Sequence, residues 1–146
     1  MYSKAMKTID HFVDGKKYSG NSNRTSIIYN PATGEATAKV KLGGIEDLNN
    51  AVKVAQQAFI NWSNTPPLQR ARVLFKFKEL IEKNEDELIK IIVSEHGKVY
   101  EDARGSLTRG LEVVEYACGI PQMLKGEFTE NVGKNVDSWS LRQPLG

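Results

Sequence analysis

The chain has 146 residues, of which 40% are hydrophobic and 26% charged, and its 20 basic and 18 acidic side chains leave a formal net charge of +2. This composition is typical of a globular protein and excludes a disordered chain, and the length suits one domain. Charges of both signs are mixed along the sequence, and no basic run indicates a nucleic-acid partner.

The sequence contains little that could form a disulfide, a metal site or a membrane span. Cys118 is the one cysteine, which excludes an internal disulfide, and with only His11 and His96 beside it a structural zinc site is not expected. No stretch approaches the roughly 20 apolar residues of a membrane span. The start, MYSKAMKTIDHFVDG, has no signal-peptide pattern. We therefore expect a cytosolic protein without a membrane partner.

Residues 1–45 are predicted to form an extended arm. Asp14-Gly15, within FVDGKKY, has the preferred chemistry of a two-residue hairpin turn, because both positions tolerate positive φ. A β-prone run from Ser26 to Tyr29 leads into a turn over Asn30–Gly34. A weaker strand then ends at Val40.

Four helices are predicted over residues 46–126, where the hydrophobic period becomes helical. Pro67 is expected to begin the second helix. Asn84 is expected to cap the third with Glu87, unless the second helix continues through a kink, and Gly97 to end it. The expected apolar stripes are Leu48, Val52, Ala55, Phe59 and Trp62 in the first helix; Val73, Leu74, Phe77, Leu80 and Ile81 in the second; Leu88, Ile91 and Ile92 in the third; and Ala103, Leu107, Leu111, Val114 and Cys118 in the fourth.

The fourth helix is predicted from about Tyr100 to Cys118, with Gly119 and Pro121 ending it. The last segment, residues 127–146, is predicted as a loop followed by one strand that carries Trp139 and Leu141 on the same side. Such a strand at the end of the chain needs a partner.

The common catalytic and nucleotide-binding motifs are absent from the sequence, namely G-x-G-x-x-G, G-x-x-x-x-G-K-[ST], H-E-x-x-H and G-x-S-x-G. Cys118 lies on an apolar stripe at the carboxyl end of a helix, where the dipole disfavours a thiolate, and is predicted to be a small core residue. His96 is predicted to be a helix-terminal residue rather than a general base. Arg70 and Arg72 are expected on the surface or beside acidic neighbours.

Arg109 lies off the apolar stripe of the fourth helix. Gly105, Val113 and Tyr116 share its face, which is less polar than a solvated face, so the helix is predicted to pack on two sides. An arginine in such a place favours a carboxylate or a phosphate, which its planar fork matches. A structural or surface role remains open on these grounds.

Several stretches in order resemble the amino-terminal part of an aldehyde dehydrogenase, over roughly residues 10–146. They are NPATGE, AVKVAQQAFINWS, RARVLFKFKELIEKNEDEL and EHGK followed by EDARGSL. The later stretch RGLEVVEYACGIPQMLKGEFTENV, with VDSWSLRQPLG, resembles the methylmalonate-semialdehyde dehydrogenase branch.

The resemblance implies an enzyme that oxidises malonate and methylmalonate semialdehydes with NAD and coenzyme A. The family reaction proceeds by thiolate attack on the aldehyde, hydride transfer to NAD and release of the acyl group to coenzyme A. The family's nucleophilic cysteine and most of its NAD contacts correspond to positions beyond Gly146. The chain is therefore expected to be an amino-terminal fragment without a catalytic domain, inactive alone, and to bind neither NAD nor coenzyme A well.

The resemblance also implies a role for Arg109. The motif RGxExVE of this branch stands here as RGLEVVE, residues 109–115, and its arginine is implied to bind the carboxylate of the substrate. The implied fold is the amino-terminal part of an α/β fold: a hairpin arm, about four helices and one bridging strand of an oligomerisation domain. The isolated chain would be mainly α with short antiparallel strands.

Two other functions remain open. The chain could be a non-catalytic assembly module that associates with itself, or with the remainder of the enzyme, through its terminal strand. It could also be a small domain that binds an acidic ligand at Arg109.

Overall fold

The computed structural model describes residues 6–145. Residues 1–5 of the predicted arm and residue 146 of the predicted terminal segment lie outside the described part. Within that part, the strands are β1 (Lys7–Ile9), β2 (His11–Val13), β3 (Lys16–Tyr18), β4 (Thr25–Tyr29), β5 (Ala36–Lys41), β6 (Phe128–Gly133) and β7 (Val136–Trp139). The helices are α1 (Ile45–Ser63), α2 (Pro67–Lys83), α3 (Glu85–His96), α4 (Tyr100–Cys118) and α5 (Ile120–Met123).

The predicted hairpin at the start of the chain is confirmed. Strands β2 and β3 pair antiparallel, with His11 opposite Tyr18. Asp14 and Gly15 form the turn at φ values of 56° and 70°, the left-handed conformation that a two-residue hairpin turn needs at both positions.

A separate three-stranded sheet follows the order β1-β5-β4. The predicted pair of strands and the turn between them are confirmed: β4 and β5 run antiparallel, and the amide of Gly34 donates to the Asn30 carbonyl at 2.8 Å. Strand β1 pairs with β5 in parallel, whereas the other strand pairs are antiparallel, as expected. The β2–β3 hairpin and β4 lie between β1 and β5 in the chain, so a tight turn could not join these two strands.

The predicted helix boundaries are largely confirmed. Helix α2 begins at Pro67, α4 spans Tyr100–Cys118, and α3 ends at Gly97 with φ of 78°. The predicted cap of α3 by the Asn84 side chain is wrong, because its Nδ2 donates to the Leu80 carbonyl at 2.7 Å and so caps the end of α2. After Gly119 the chain adds the short helix α5.

Helices α2, α3 and α4 pack against one another and form the main core. Helices α2 and α4 run antiparallel, since Lys78 lies 3.4 Å from Glu115 while Ile81 and Leu107 line the same small cavity. The buried side chains of this core are small, apart from that of Ile89, which lets the helices approach closely. They are Ala71, Ile89, Ala103 and Cys118.

The expected terminal strand turns out to be the second strand of a hairpin. Residues 128–133, of which 130–133 are predicted as a loop, form β6 and pair antiparallel with β7, placing Phe128 opposite Trp139. Leu141 lies beyond the end of β7. The prediction of a single strand without a partner in this chain is therefore wrong, although both strands of the hairpin are exposed along their whole length.

Much apolar surface is uncovered in this chain. The predicted stripe of α1 is mostly exposed, including Leu48, Val52 and Trp62. The accessible surface is 11955 Å² for a mass of 16.3 kDa, against about 7,500 Å² for a compact monomer of that mass. Among the described residues, no helix combines the length and the apolar character that crossing a membrane requires.

Candidate functional site

Arg109 lies near the middle of α4, on a face that this chain leaves open. Val113 and Tyr116, which share its face, are each 67% accessible, and a Cβ added at the half-buried Gly105 would meet nothing within 4 Å. The expectation that α4 packs on two sides is therefore wrong for this chain, which covers only the face of Ala103 and Cys118.

The Arg109 guanidinium takes part in none of the ion pairs that residues 6–145 form. The neighbouring cation on α4, Arg104, instead pairs with Glu101 one turn away. Arg109 thus presents five hydrogen-bond donors beside two exposed apolar side chains. This arrangement could hold a ligand that carries a carboxylate next to a short carbon chain.

Cys118 is a buried free cysteine and the last residue of α4. Its placement agrees with the predicted core role, because the carboxyl end of a helix disfavours a thiolate. The nucleophilic role is not supported by this environment.

The remaining residues singled out from the sequence lie apart from Arg109 in the fold. His96 is the exposed last residue of α3, and Arg72 is exposed on α2. Arg70 is half-buried and lines a groove with Trp62 and Ile120. Because Lys78 of α2 lies against Glu115 of the antiparallel α4, Arg70 and Arg72 lie toward the carboxyl end of α4, where Arg70 is near Ile120, rather than beside Arg109.

A residue that the sequence did not single out, Asp47, has the most constrained carboxylate of the described residues. The residue is buried, with 6% of its surface accessible. Its Oδ2 accepts the amide of Gly44 at 2.8 Å, and its Oδ1 accepts the amide of Asn21 at 2.7 Å and the hydroxyl of Tyr18 at 2.9 Å. These donors, that of Gly44 first, lower the pKa of Asp47 from 3.8 to about 2.

The sequence does contain a signal for this carboxylate. An acidic side chain at the third position of a helix can accept the amide of the residue that caps the helix, and Asp47 stands three residues after Gly44. The signal was hidden because Gly44 has no side chain that would complete a capping box. The contacts from Tyr18 and Asn21 follow from the tertiary structure alone.

The amino end of α1 does not fit the diphosphate of a dinucleotide. Such a group binds where a strand leads through a glycine-rich turn into a helix, and it uses the free amides there. The strand β5 does lead through Gly43-Gly44 into α1. The amide of Gly44 already donates to the Asp47 carboxylate, and the negative charge of that carboxylate would repel a diphosphate. These residues are therefore not a cofactor site.

Fold and sequence together define the class of this protein. The family model for the aldehyde dehydrogenase family matches residues 18–146, so the chain belongs to the aldehyde dehydrogenase family. The predicted family resemblance is thus confirmed.

Among the relatives, the semialdehyde dehydrogenases are similar over almost the whole chain. Malonate-semialdehyde dehydrogenase of Pseudomonas aeruginosa is 49% identical over 97% of this chain and 28% of its own length. The mitochondrial, acylating methylmalonate-semialdehyde dehydrogenase of Arabidopsis thaliana is 44% identical over 94% of this chain and 23% of its own length. The chain therefore spans about a quarter of the length of these curated relatives.

Solved structures show the same fold. Methylmalonate-semialdehyde dehydrogenase of Oceanimonas doudoroffii matches with a TM-score of 0.90 and 48% identity, over 96% of this chain and 28% of its own. A Sinorhizobium meliloti 1021 protein, provisionally named methylmalonate-semialdehyde dehydrogenase and complexed with NAD, matches with a TM-score of 0.91 and 47% identity, over 97% and 29%. The implied fold, represented by its amino-terminal part, is confirmed.

Proposed function

We propose that this chain forms the amino-terminal part of an NAD-dependent, CoA-acylating malonate- or methylmalonate-semialdehyde dehydrogenase of the cytosol. The observation that carries the proposal is the 49% identity to the Pseudomonas enzyme across 97% of the chain. The acylating relative from Arabidopsis supports the use of coenzyme A, and the NAD complex of the Sinorhizobium protein supports the use of NAD.

Arg109 is the substrate-binding residue in this proposal. A semialdehyde of this class carries a carboxylate at the far end from its reactive carbon. A fixed guanidinium that holds the carboxylate would position the aldehyde carbon for attack. That role is supported by the absence of an ion pair at Arg109 within residues 6–145 and by the exposed side chains of Val113 and Tyr116 on the same face.

A chimaera tests both parts of the proposal. The matching first part of the Pseudomonas enzyme is replaced with this chain, and NADH formation is followed with malonate semialdehyde, NAD and coenzyme A. We expect activity. In the chimaera, Arg109→Met should raise KM for malonate semialdehyde by roughly 10- to 100-fold, the loss of one charged hydrogen-bonded contact, and should change KM for propanal little.

Arg104→Met is the matched control, because Arg104 is an exposed arginine of the same helix that pairs with Glu101. It should leave both KM values unchanged. Equal effects of Arg109→Met on malonate semialdehyde and propanal would remove the carboxylate role. An inactive chimaera, correctly folded by circular dichroism, would contradict the proposed family function.

The isolated chain is proposed to have no dehydrogenase activity, since its one cysteine is buried at a helix carboxyl end. Purified chain is mixed with malonate semialdehyde, NAD and coenzyme A, and absorbance at the NADH band is recorded. A sustained rise that Cys118→Ala abolishes would overturn this part of the proposal.

Assembly is a second candidate function, and the exposed apolar surface favours it. The chain exposes 11955 Å², roughly 4,500 Å² more than a compact monomer of its mass would. Both strands of the β6–β7 hairpin are exposed, including Phe128 and Trp139. The proposed partner is the remaining part of a family enzyme. Co-purification of this chain with the separately expressed rest of the Pseudomonas enzyme tests this, and no complex at micromolar concentration would contradict it.

A further inference from the structure

We propose that Asp47 acts as a latch, the contact that holds the β2–β3 hairpin on the start of α1. When the Asp47 contacts are lost, the hairpin detaches as a unit while α2, α3 and α4 stay folded. The inference does not depend on the proposed enzyme activity. It concerns a carboxylate that links the β2–β3 hairpin to the start of α1.

The two oxygens of Asp47 serve different parts of the chain. Oδ2 accepts the amide of Gly44, the residue that begins α1. Oδ1 accepts the Tyr18 hydroxyl at the end of β3 and the Asn21 amide just after it, residues 29 and 26 positions away in the sequence. Between residues 11–21 and α1, the described structure shows no other hydrogen bonds.

Gly20 makes the approach of the hairpin to the carboxylate possible. It has a φ of 72°, and a Cβ added there would lie 3.2 Å from Asp47 Oδ1 and 3.3 Å from the Asp47 Cγ and Oδ2. An alanine at this position would therefore be strained in its backbone and would also press on the carboxylate.

Apolar burial contributes little to this junction. The groove between the hairpin and α1 is lined by His11, Val13, Leu48 and Ala51 and is open to solvent, and Phe12 at its edge is 74% exposed. The helices instead bury Ile89 and Ala103 almost completely. A part of the fold with few buried apolar contacts opens before the core does, so loss of the Asp47 contacts should release the hairpin first.

Two glycine variants of the 146-residue chain provide a matched test. Gly20→Ala and Gly15→Ala carry similar backbone strain, because their φ values are 72° and 70°, but a Cβ at Gly15 meets nothing within 4 Å. Amide exchange is measured residue by residue by NMR. In Gly20→Ala the amides of Asn21 and Gly44 should exchange about tenfold faster or more. In Gly15→Ala only amides of the β2–β3 turn should change.

A second pair keeps the test decisive if Gly20→Ala perturbs the fold more widely. Asp47→Asn removes the charge and one acceptor, and Tyr18→Phe removes one donor, so both should speed exchange at Asn21, the former more. Asp14→Asn, at an exposed aspartate of the same hairpin, should not. The amides of 85–118 should keep wild-type rates in every variant. Unchanged exchange at Asn21 and Gly44 in Asp47→Asn, or equal acceleration across 85–118, would overturn the latch.

Discussion

At the scale of single residues, stability depends on a few positions because so little of the chain is buried. Ile89 on α3 is the largest fully buried side chain among the described residues, at 1% accessible. The expected stripe of α3 named Leu88, Ile91 and Ile92 and missed it. All four positions are apolar, so periodicity alone does not tell which of them faces α4.

Replacing Ile89 with alanine should destabilise the helical core. The change leaves a cavity in the contact between helices, and a loss of about 2–5 kcal/mol in the free energy of unfolding is expected. Ile91→Ala is the control, because Ile91 is 49% exposed, and it should cost about 1 kcal/mol or less. Urea denaturation followed by circular dichroism measures both. Similar losses for the two variants would mean that Ile89 is not the core position.

Asp47 should make the hairpin junction sensitive to acid. Its pKa is lowered to about 2 in the fold from 3.8, so the stabilisation is fully present above about pH 4 and is lost as the pH falls through about 2. Tyr18, Glu46 and His11 are the other titratable groups around it. The pKa of Tyr18 is raised, chiefly because its hydroxyl donates to Asp47.

NMR shifts of the Asn21 and Gly44 amides between pH 5 and pH 1.5 measure this transition. They should follow a midpoint near pH 2, and Asp47→Asn should abolish the change. A midpoint near the ordinary carboxyl pKa of 3.8 would show that the three donors do not stabilise the ionised form of Asp47.

At the scale of elements, the end of α3 connects the helices to the β4–β5 sheet. Gly97 closes α3 in the left-handed conformation, at φ of 78°, and a Cβ added there would lie 3.1 Å from Pro31 Cγ and 3.2 Å from its Cβ. Pro31 belongs to the turn between β4 and β5. The helix end and the turn thus meet at a point where an added Cβ would press on the Pro31 ring.

Gly97→Ala should therefore cost more than Gly34→Ala. Gly34 has a φ of 74°, and its added Cβ would meet nothing within 4 Å. Both variants carry the strain of a left-handed alanine, and the contact with Pro31 adds roughly 1 kcal/mol or more at Gly97. Thermal unfolding of both variants measures the difference. Equal melting temperatures would indicate that the helix end and the turn do not touch in solution.

At the scale of the whole molecule, exposed apolar surface is the dominant feature. The uncovered stripe of α1 and the exposed β6–β7 hairpin lie outside the core of α2, α3 and α4. Exposed apolar patches larger than a few hundred Å² are typical of interaction sites. In this chain, no other described segment packs over the α1 stripe or the β6–β7 hairpin.

The isolated chain should associate as its concentration rises. Sedimentation velocity from about 5 to 200 μM should show a weight-average mass that increases above 16.3 kDa, because association buries apolar surface. Phe128→Ser together with Trp139→Ser should weaken the effect, and Phe12→Ser, at an exposed residue of the other hairpin, serves as the control. A constant monomer mass at all concentrations would count against these surfaces as interfaces.

Features that depend on neighbouring residues can be predicted from the sequence alone. Local backbone preferences predict the Asp14-Gly15 turn, the start of α2 at Pro67 and the end of α3 at Gly97. The family resemblance comes from the order of the sequence motifs. The tertiary structure alone reveals that Asp47 joins residues more than 20 positions away and that Ile89 is buried. These features depend on which distant segments meet, and helical or strand periodicity carries no information about that.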